Sequence, residues 1–270
     1  MEDLKLTIME KKKQMEQLER IQALQTKNTT FQDLKSDYKC NKCKDSTWVE
    51  KGNGMVRCDC YQKDLTARRW KRFGVDPSRV RLIGDYEIDT KEKEFAREKA
   101  ANYIREFDTI VTQRNNSIAF LGQPGAGKTH LSLGIGKALL ERENHVEVTY
   151  MPYLEVMQEL KSNAMDEIAY IKVQSKYTEC KLLIIDDLFK DKVKKGCLCG
   201  KLSEADMKHI YPIINQRYNK HLPIIYSSEC SANMLLDLDE ALGGRIVETC
   251  DENLVIFKYC RENNYRLKNI

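Results

Sequence analysis

Eight consecutive residues form a glycine-rich loop, GQPGAGKT, which matches the pattern of a phosphate-binding loop. The apolar run at 117–121 precedes it and a helical pattern at 129–140 follows, so the loop joins a strand to a helix. Glycines let backbone N–H groups approach phosphate oxygens, and the helix N-terminus adds positive potential. Lys128 is expected to reach the β- and γ-phosphates of ATP, and the Thr129 hydroxyl to ligate Mg²⁺. The predicted nucleotide-binding residues are Gly122, Gln123, Pro124, Gly125, Ala126, Gly127, Lys128, Thr129 and His130.

Two adjacent aspartates follow the apolar segment Leu182–Ile185. A strand that ends in a carboxylate is the usual second half of such a site. We expect Asp186 to hold Mg²⁺ through water and Asp187 to polarise the attacking water. Two carboxylates here are also compatible with a plain strand end. In combination with the glycine-rich loop they favour an ATPase whose catalytic residues include Lys128, Asp186 and Asp187.

Two further positions fit roles at an ATP site. The segment 223–227 reads as a fourth strand, and Ser228 at its end is expected to sense the γ-phosphate, with an ordinary polar strand end as the alternative. Arg245 lies in the sequence GGRI, which we interpret as a turn just after a helix. We expect Arg245 to act catalytically on the ATP of a neighbouring subunit, and the alternative is a surface arginine.

Four cysteines occur in two close pairs, Cys40-x2-Cys43 and Cys58-x-Cys60. Two such pairs can close a tetrahedral site of four sulfurs around Zn²⁺, and a module this small needs the metal for stability. A two-stranded hairpin is predicted between the pairs, around the turn at 52–54. Cys197 and Cys199 lack further ligands at suitable spacing and are interpreted as part of a flexible loop. The other cysteines, Cys180, Cys230, Cys250 and Cys260, are expected to be small packing residues.

Apolar segments that alternate with helical stretches predict an α/β fold with a five-stranded parallel sheet flanked by helices. The expected strands are 117–121, 145–150, 181–185, 223–227 and 254–257. The first 25 or so residues follow an amphipathic helical pattern, for a helix that either packs on its own protein or docks on another. The expected regions are a helical segment at 1–37, a zinc module at 38–62, a basic-aromatic linker at 63–94 and an ATPase domain at 95–270.

Charge and composition set limits on the class of protein. Residues 1–80 carry 18 Lys and Arg against 12 Asp and Glu, whereas residues 81–270 carry 27 against 29. The basic excess mildly favours a polyanionic partner, although a solvated surface would also explain it. No apolar run approaches the length of a membrane helix, and the first residues do not read as a signal peptide. We therefore expect a cytoplasmic protein with no membrane partner.

The combination of these motifs resembles one family closely. Residues 122–131 (GQPGAGKTHL), 183–188 (LIIDDL) and 243–246 (GGRI), together with the four-cysteine cluster, are similar to the bacterial and phage replicative helicase loaders of the DnaC/DnaI type. These loaders are AAA+ ATPases with an IstB-like ATP-binding core. The resemblance covers the whole chain, and the short ending after the last strand leaves no room for the C-terminal helical lid of many AAA+ proteins.

The resemblance implies a role and a set of partners. Loaders of this type bind the hexameric replicative helicase through their N-terminal region and place it on single-stranded DNA, with ATP as a timing signal. It also implies that the chain forms homo-oligomers on the helicase. Asp187 stands where many AAA+ proteins have glutamate, which implies slow hydrolysis, stimulated by single-stranded DNA. Ser228-Glu229 replaces the Ser-Asn that often follows the fourth strand.

Two other functions fit the same core motifs. One is an ATP-dependent transposition helper of the insertion-sequence type, although those helpers usually begin differently from this chain. The other is a nucleotide-gated adaptor that captures a helicase with little catalysis.

Overall fold

The computed structural model describes residues 38–267, which fall into two compact units, residues 38–61 and residues 62–267. The amphipathic helix expected within residues 1–37 lies outside the described residues. In the first unit, strands β1 (Trp48–Lys51) and β2 (Gly54–Arg57) pair as an antiparallel hairpin around the predicted turn. Helix α1 spans Asp59–Phe73, so the last cysteine of the cluster, Cys60, lies in its first turn.

The second unit contains the expected five-stranded parallel sheet. Its strands are β3 (Ile118–Gly122), β4 (Val148–Pro152), β5 (Leu182–Leu188), β8 (Ile224–Ser228) and β9 (Leu254–Phe257). They lie in the order β4-β5-β8-β3-β9, and every pairing is parallel. The strand that carries the glycine-rich loop, β3, therefore lies inside the sheet between β8 and β9, and the carboxyl ends of β3, β5 and β8 meet at one edge of the sheet.

Helices cover both faces of this sheet. They are α2 (Lys91–Ile110), α3 (Lys128–Glu141), α4 (Tyr153–Ser162), α5 (Glu167–Thr178), α6 (Glu204–Asn219), α7 (Ala232–Leu238) and α8 (Glu240–Cys250). Alternate residues along each strand face opposite layers. Leu182 and Ile184 pack with α2 and α3, whereas Leu183 and Ile185 pack with α4, α6 and α8.

The segment 63–94 differs from the linker that the sequence predicted. It belongs to the second compact unit, and Trp70, Phe73, Val80 and Tyr86 are buried in the same core layer as α2 and α3. Two short 3₁₀ turns, Pro77–Arg79 and Ile83–Asp85, complete the segment. Burial of the aromatic side chains explains the difference, because a chain that packs its large rings into a core is not a free connector.

The segment around Cys197 also differs from the predicted flexible loop. Strands β6 (Val193–Lys194) and β7 (Cys197–Leu198) form a small antiparallel hairpin directly after β5, with both Cys197 and Cys199 exposed. Gly196 has a positive φ of 76°, which suits the tight connection between the two strands. Within residues 38–267, no helix is long and apolar enough to cross a membrane.

Candidate nucleotide site and metal cluster

The glycine-rich loop connects β3 to α3 at the carboxyl edge of the sheet, beside the ends of β8 and β9. Gly127 caps α3 in a left-handed conformation, with φ 84°. A Cβ atom at this position would lie 2.5 Å from the Tyr86 ring, so both the backbone angle and the packing require glycine. The free N–H groups of the first turn of α3 therefore point into the pocket, where phosphate oxygens are their natural acceptors.

Lys128 is buried and folded over the loop. Its ammonium group donates hydrogen bonds to the carbonyl oxygens of Gly122 at 2.9 Å and Gln123 at 2.8 Å. Burial lowers the pKa of Lys128 to about 8, and the nearby carboxylates of Asp187 and Asp186 oppose that shift. Burial disfavours the charged form of a lysine, and an anionic partner favours it. A phosphate group in the pocket would therefore stabilise the charged form of Lys128.

Asp186 accepts hydrogen bonds from three hydroxyl groups. Its Oδ1 atom accepts from Thr129 Oγ1 at 2.9 Å and from Ser227 Oγ, and its Oδ2 atom accepts from Tyr150 OH at 2.9 Å. Burial raises the pKa of Asp186, and the hydrogen bonds from Ser227, Thr129 and Tyr150 limit the rise. The Thr129 hydroxyl and the Asp186 carboxylate are both oxygen donors, the ligand type that Mg²⁺ prefers.

Asp187 follows in an unusual backbone conformation. Its φ is 55°, and its N–H donates to Ser227 Oγ at 3.0 Å, so β8 holds the turn in place. This conformation directs Asp187 into the pocket that surrounds the glycine-rich loop. Ser227 therefore supports both aspartates, a role that the sequence analysis did not assign.

The structure does not bring Ser228 to the pocket, in contrast to the expected γ-phosphate sensor. Its hydroxyl is fully buried, donates to the Leu188 carbonyl at 2.6 Å and accepts from the Cys230 N–H at 3.0 Å. Successive side chains of a strand point to opposite faces of the sheet. Ser227 consequently faces Asp186, whereas Ser228 joins the ends of β8 and β5 on the other face.

His130 and Tyr86 form one side of the pocket. The two rings meet edge to face with centroids 5.5 Å apart, and the Tyr86 hydroxyl donates to the Ala126 carbonyl at 2.6 Å. A His130 ring nitrogen contacts the Leu82 carbonyl at 2.8 Å. These contacts of His130 and Tyr86 connect the segment before α2 to the glycine-rich loop.

Several pocket residues carry no local motif and were missed by sequence reasoning. They come from the segment before α2, from the residues after β5 and β8, and from the end of the chain. Tyr265 donates its backbone N–H to the Gly125 carbonyl at 3.0 Å, so the chain end also shapes the loop. Only long-range packing brings these residues together. The missed residues are Arg81, Asp85, Tyr86, Glu87, Lys93, Lys190, Glu229, Tyr265 and Arg266.

Arg245 lies inside helix α8 and not in a turn after a helix, as the sequence had suggested. Its guanidinium group lies 5.3 Å from the ring centroids of both Tyr211 and Tyr218 and donates to the Ala241 carbonyl at 2.7 Å. Gly243 lies within the same helix. A glycine is needed at this position because a side chain would collide with the Leu235 carbonyl. Arg245 lies outside the nucleotide pocket of its own chain.

The four predicted zinc ligands converge in the first unit. The sulfurs of Cys40, Cys43, Cys58 and Cys60 all lie within 4.8 Å of one another. The Cys40 and Cys58 sulfurs are 3.8 Å apart, and those of Cys43 and Cys60 are 3.3 Å apart. Zn–S bonds of about 2.3 Å in a tetrahedron require sulfur–sulfur distances of about 3.8 Å. The residues present therefore fit a Zn²⁺ ion.

Local hydrogen bonds favour the thiolate form at Cys40 and oppose it at Cys60. The backbone N–H and the side chain of Cys43 lower the pKa of Cys40 to about 7, whereas contact with the Cys43 sulfur raises the pKa of Cys60. The backbone N–H of Lys44 donates to the Cys40 carbonyl at 2.8 Å, in a tight turn that brings the first pair together. Thiolates are the ligands that Zn²⁺ binds, so this arrangement suits a structural metal site.

The strand order, the glycine-rich loop after an interior strand and the paired carboxylates define an AAA+ P-loop protein with a nucleotide site. The family model for IstB-like ATP-binding proteins matches residues 61–269, and the chain belongs to this family.

Two Bacillus subtilis relatives match most of the chain. Protein YqaM is 35% identical over 234 residues, which cover 84% of this chain and 71% of YqaM. Protein XkdC of the phage-like element PBSX is 34% identical over 249 residues, which cover 87% of this chain and 88% of XkdC. The crystal structure of the DnaC helicase loader has the same fold, with a TM-score of 0.53 and 20% identity over 71% of this chain and 99% of that chain.

Proposed function

We propose that this protein is an ATP-dependent DNA replication protein that binds the hexameric replicative helicase and loads it onto single-stranded DNA. The observation that carries the proposal is a candidate nucleotide site on a fold that matches 99% of the solved chain of the DnaC helicase loader. The four-cysteine cluster that precedes the ATPase core supports the same assignment.

In this proposal the residues of the nucleotide site have distinct roles. The N–H groups of the glycine-rich loop and the ammonium group of Lys128 bind the phosphates of ATP. Thr129 and Asp186 hold Mg²⁺, which offsets the charge of the β- and γ-phosphates when it is bound. Asp187 accepts the proton of the attacking water, a general-base role that contributes about 10²-fold or more to the rate. Because aspartate is shorter than glutamate, we expect ATP hydrolysis to be slow. We also expect single-stranded DNA to stimulate it.

The cysteine cluster has a structural role in this proposal. Zn²⁺ bound by Cys40, Cys43, Cys58 and Cys60 stabilises a unit whose hairpin side chains, including Trp48 and Met55, are largely exposed. We propose that the N-terminal region, residues 1–62, binds the helicase and that the protein acts in the cytoplasm. Residues 1–37 of this region lie outside the described part of the chain.

We further propose that copies assembled on the helicase share ATP sites and that Arg245 acts on the ATP of a neighbour. To do so, the guanidinium group must leave Tyr211 and Tyr218, where it now lies. Mixed assemblies test this. Inactive Arg245→Ala and inactive Lys128→Ala chains should partly restore each other's ATPase activity, because each supplies what the other lacks. If both variants assemble but mixing restores no activity, Arg245 does not act across a subunit interface.

Capture of the purified helicase tests the proposed function against its alternatives. The full chain, immobilised with MgATP present, should retain the hexameric helicase of the same replication system. A transposition helper would not retain it. An adaptor with little catalysis would retain it but show no ATP turnover in the presence or absence of single-stranded DNA.

A further inference from the structure

An ion pair that belongs to none of the motifs lies in the nucleotide pocket. Lys190 comes two residues after the end of β5, and Glu229 comes directly after β8. The ammonium group of Lys190 contacts the Glu229 carboxylate, and both side chains line the pocket together with Lys128 and Asp187. The carboxylate side chain is only 11% exposed, so a nearly buried anion is balanced here by a lysine that is 36% exposed.

Hydrogen bonds and packing hold the backbone on both sides of the pair. When a ligand enters the pocket, the two side chains are therefore the parts that would move. Ser228 joins the end of β8 to the Leu188 carbonyl, and the Tyr259 hydroxyl donates to the Glu229 carbonyl at 2.7 Å. Phe189, just before Lys190, is fully buried against Tyr153. Lys190 and Glu229 therefore project from anchored positions, and their long side chains are the adjustable parts.

The charges of Lys190 and Lys128 indicate which end of the pocket holds the Lys190–Glu229 pair. The positive charge of Lys190 contributes to the lowered pKa of Lys128, so the two ammonium groups are close enough to repel each other. The P-loop lysine meets the β- and γ-phosphates, and the carboxylate near the end of β5, Asp186, lies on the Mg²⁺ side of the γ-phosphate. The terminal phosphate of ATP would thus be the group that approaches Lys190 and Glu229, whereas ADP ends one phosphate short.

We propose that Lys190 contacts the γ-phosphate of ATP and that Glu229 competes with this phosphate for the Lys190 ammonium group. Lys190 thereby makes the site prefer ATP to ADP, and Glu229 limits the size of that preference. With ADP, Lys190 stays on Glu229. With ATP, a second anion approaches the pair, and the shared ammonium group prevents repulsion between the γ-phosphate and the nearly buried carboxylate. This inference rests on the proposed nucleotide site.

Calorimetric titration of the full chain with MgATP and with MgADP tests the proposal. Lys190→Met should weaken ATP binding by about tenfold, the effect of one charge-assisted hydrogen bond, and leave ADP binding unchanged. Glu229→Gln frees the ammonium group and should strengthen ATP binding relative to ADP. Lys190→Arg should retain the preference for ATP, since a cation is still present. Lys194→Met, an exposed lysine of the neighbouring hairpin, is the matched control and should change neither affinity.

The outcomes separate this inference from the proposed function. If Lys190→Met weakens ATP and ADP equally, or changes neither while the Lys194→Met control behaves as the wild type, the discriminating role is wrong. Thermal denaturation of each variant shows whether it is folded, and Lys190→Arg and Glu229→Gln preserve the size of the side chains if Lys190→Met is not. If Lys128→Ala leaves both affinities unchanged, the nucleotide site itself is misplaced and the proposed function fails.

Discussion

Thr129 and Asp186 are 57 residues apart in the sequence, yet the Thr129 hydroxyl donates a 2.9 Å hydrogen bond to the Asp186 carboxylate. This bond joins the first turn of α3 to β5 and places the two proposed Mg²⁺ ligands in direct contact. Only β8 lies between β3 and β5 in the sheet, and this short separation makes the contact possible. The fold itself therefore brings the two halves of the site together.

Lys128→Ala should abolish or greatly weaken nucleotide binding. Removal of the buried ammonium group eliminates a charged contact with phosphate worth about 3 kcal/mol, or on the order of 100-fold in affinity. Fluorescence titration with a labelled ATP analogue measures the change. Lys172→Ala, an exposed lysine on α5, is the control and should bind normally. Equal affinity of both variants would contradict the role of Lys128.

Asp187→Asn should retain ATP binding and lose hydrolysis. Asparagine tolerates the left-handed conformation that Asp187 adopts, so the turn is preserved while the general base is removed. Steady-state phosphate release should fall by about 10²-fold. Asp237→Asn, at an exposed position on α7, should hydrolyse at the wild-type rate. Unchanged turnover in Asp187→Asn would place the catalytic carboxylate elsewhere.

The site was predictable from sequence where its signals are local. The glycine-rich loop, the two aspartates and the paired cysteines depend on spacing within a few residues, and the five strands are short apolar runs between helical stretches. Ser227, one position before the Ser228 that we expected to sense the γ-phosphate, is the serine that contacts Asp186. Alternation along β8 determines which serine faces Asp186, and the exact start of a strand is not readable from its sequence.

The rest of the pocket depends on long-range packing. Tyr86 and Trp70 lie in a stretch of basic and polar residues that resembles a linker, and only the folded core shows that their rings are buried. Arg245 follows two glycines, which suggest a turn. Gly243 instead lets α8 pass close to the Leu235 carbonyl, so the glycine marks tight packing and not a chain reversal.

Removal of zinc should unfold the first unit selectively. Protein purified without added zinc should contain about one Zn²⁺ per chain by atomic emission, and Cys58→Ser should lose it, because a three-sulfur site is incomplete. Cys197→Ser changes an exposed thiol outside the cluster and should retain full occupancy. Metal-free wild-type protein in which the four cluster thiols react freely would refute the assignment.

Trp70→Ala should destabilise the protein and leave binding of single-stranded DNA intact in the molecules that remain folded. The Trp70 side chain is 6% exposed, and its ring centroid lies 5.4 Å from that of Phe73. Loss of a buried indole costs about 3 kcal/mol in the free energy of unfolding. Urea denaturation measures the change, with Arg68→Ala, an exposed neighbour, as the control. A stable variant that no longer binds DNA would instead show that Trp70 stacks on bases.

The most direct test of the proposed function is loading of the helicase onto circular single-stranded DNA, which has no end that a closed ring could thread. Helicase, ATP and this protein are mixed with the circle, and helicase bound to DNA is measured after gel filtration in high salt. We predict bound helicase with the wild-type protein and none with Lys128→Ala or without ATP. Equal amounts of bound helicase in the presence and absence of the protein would contradict the account.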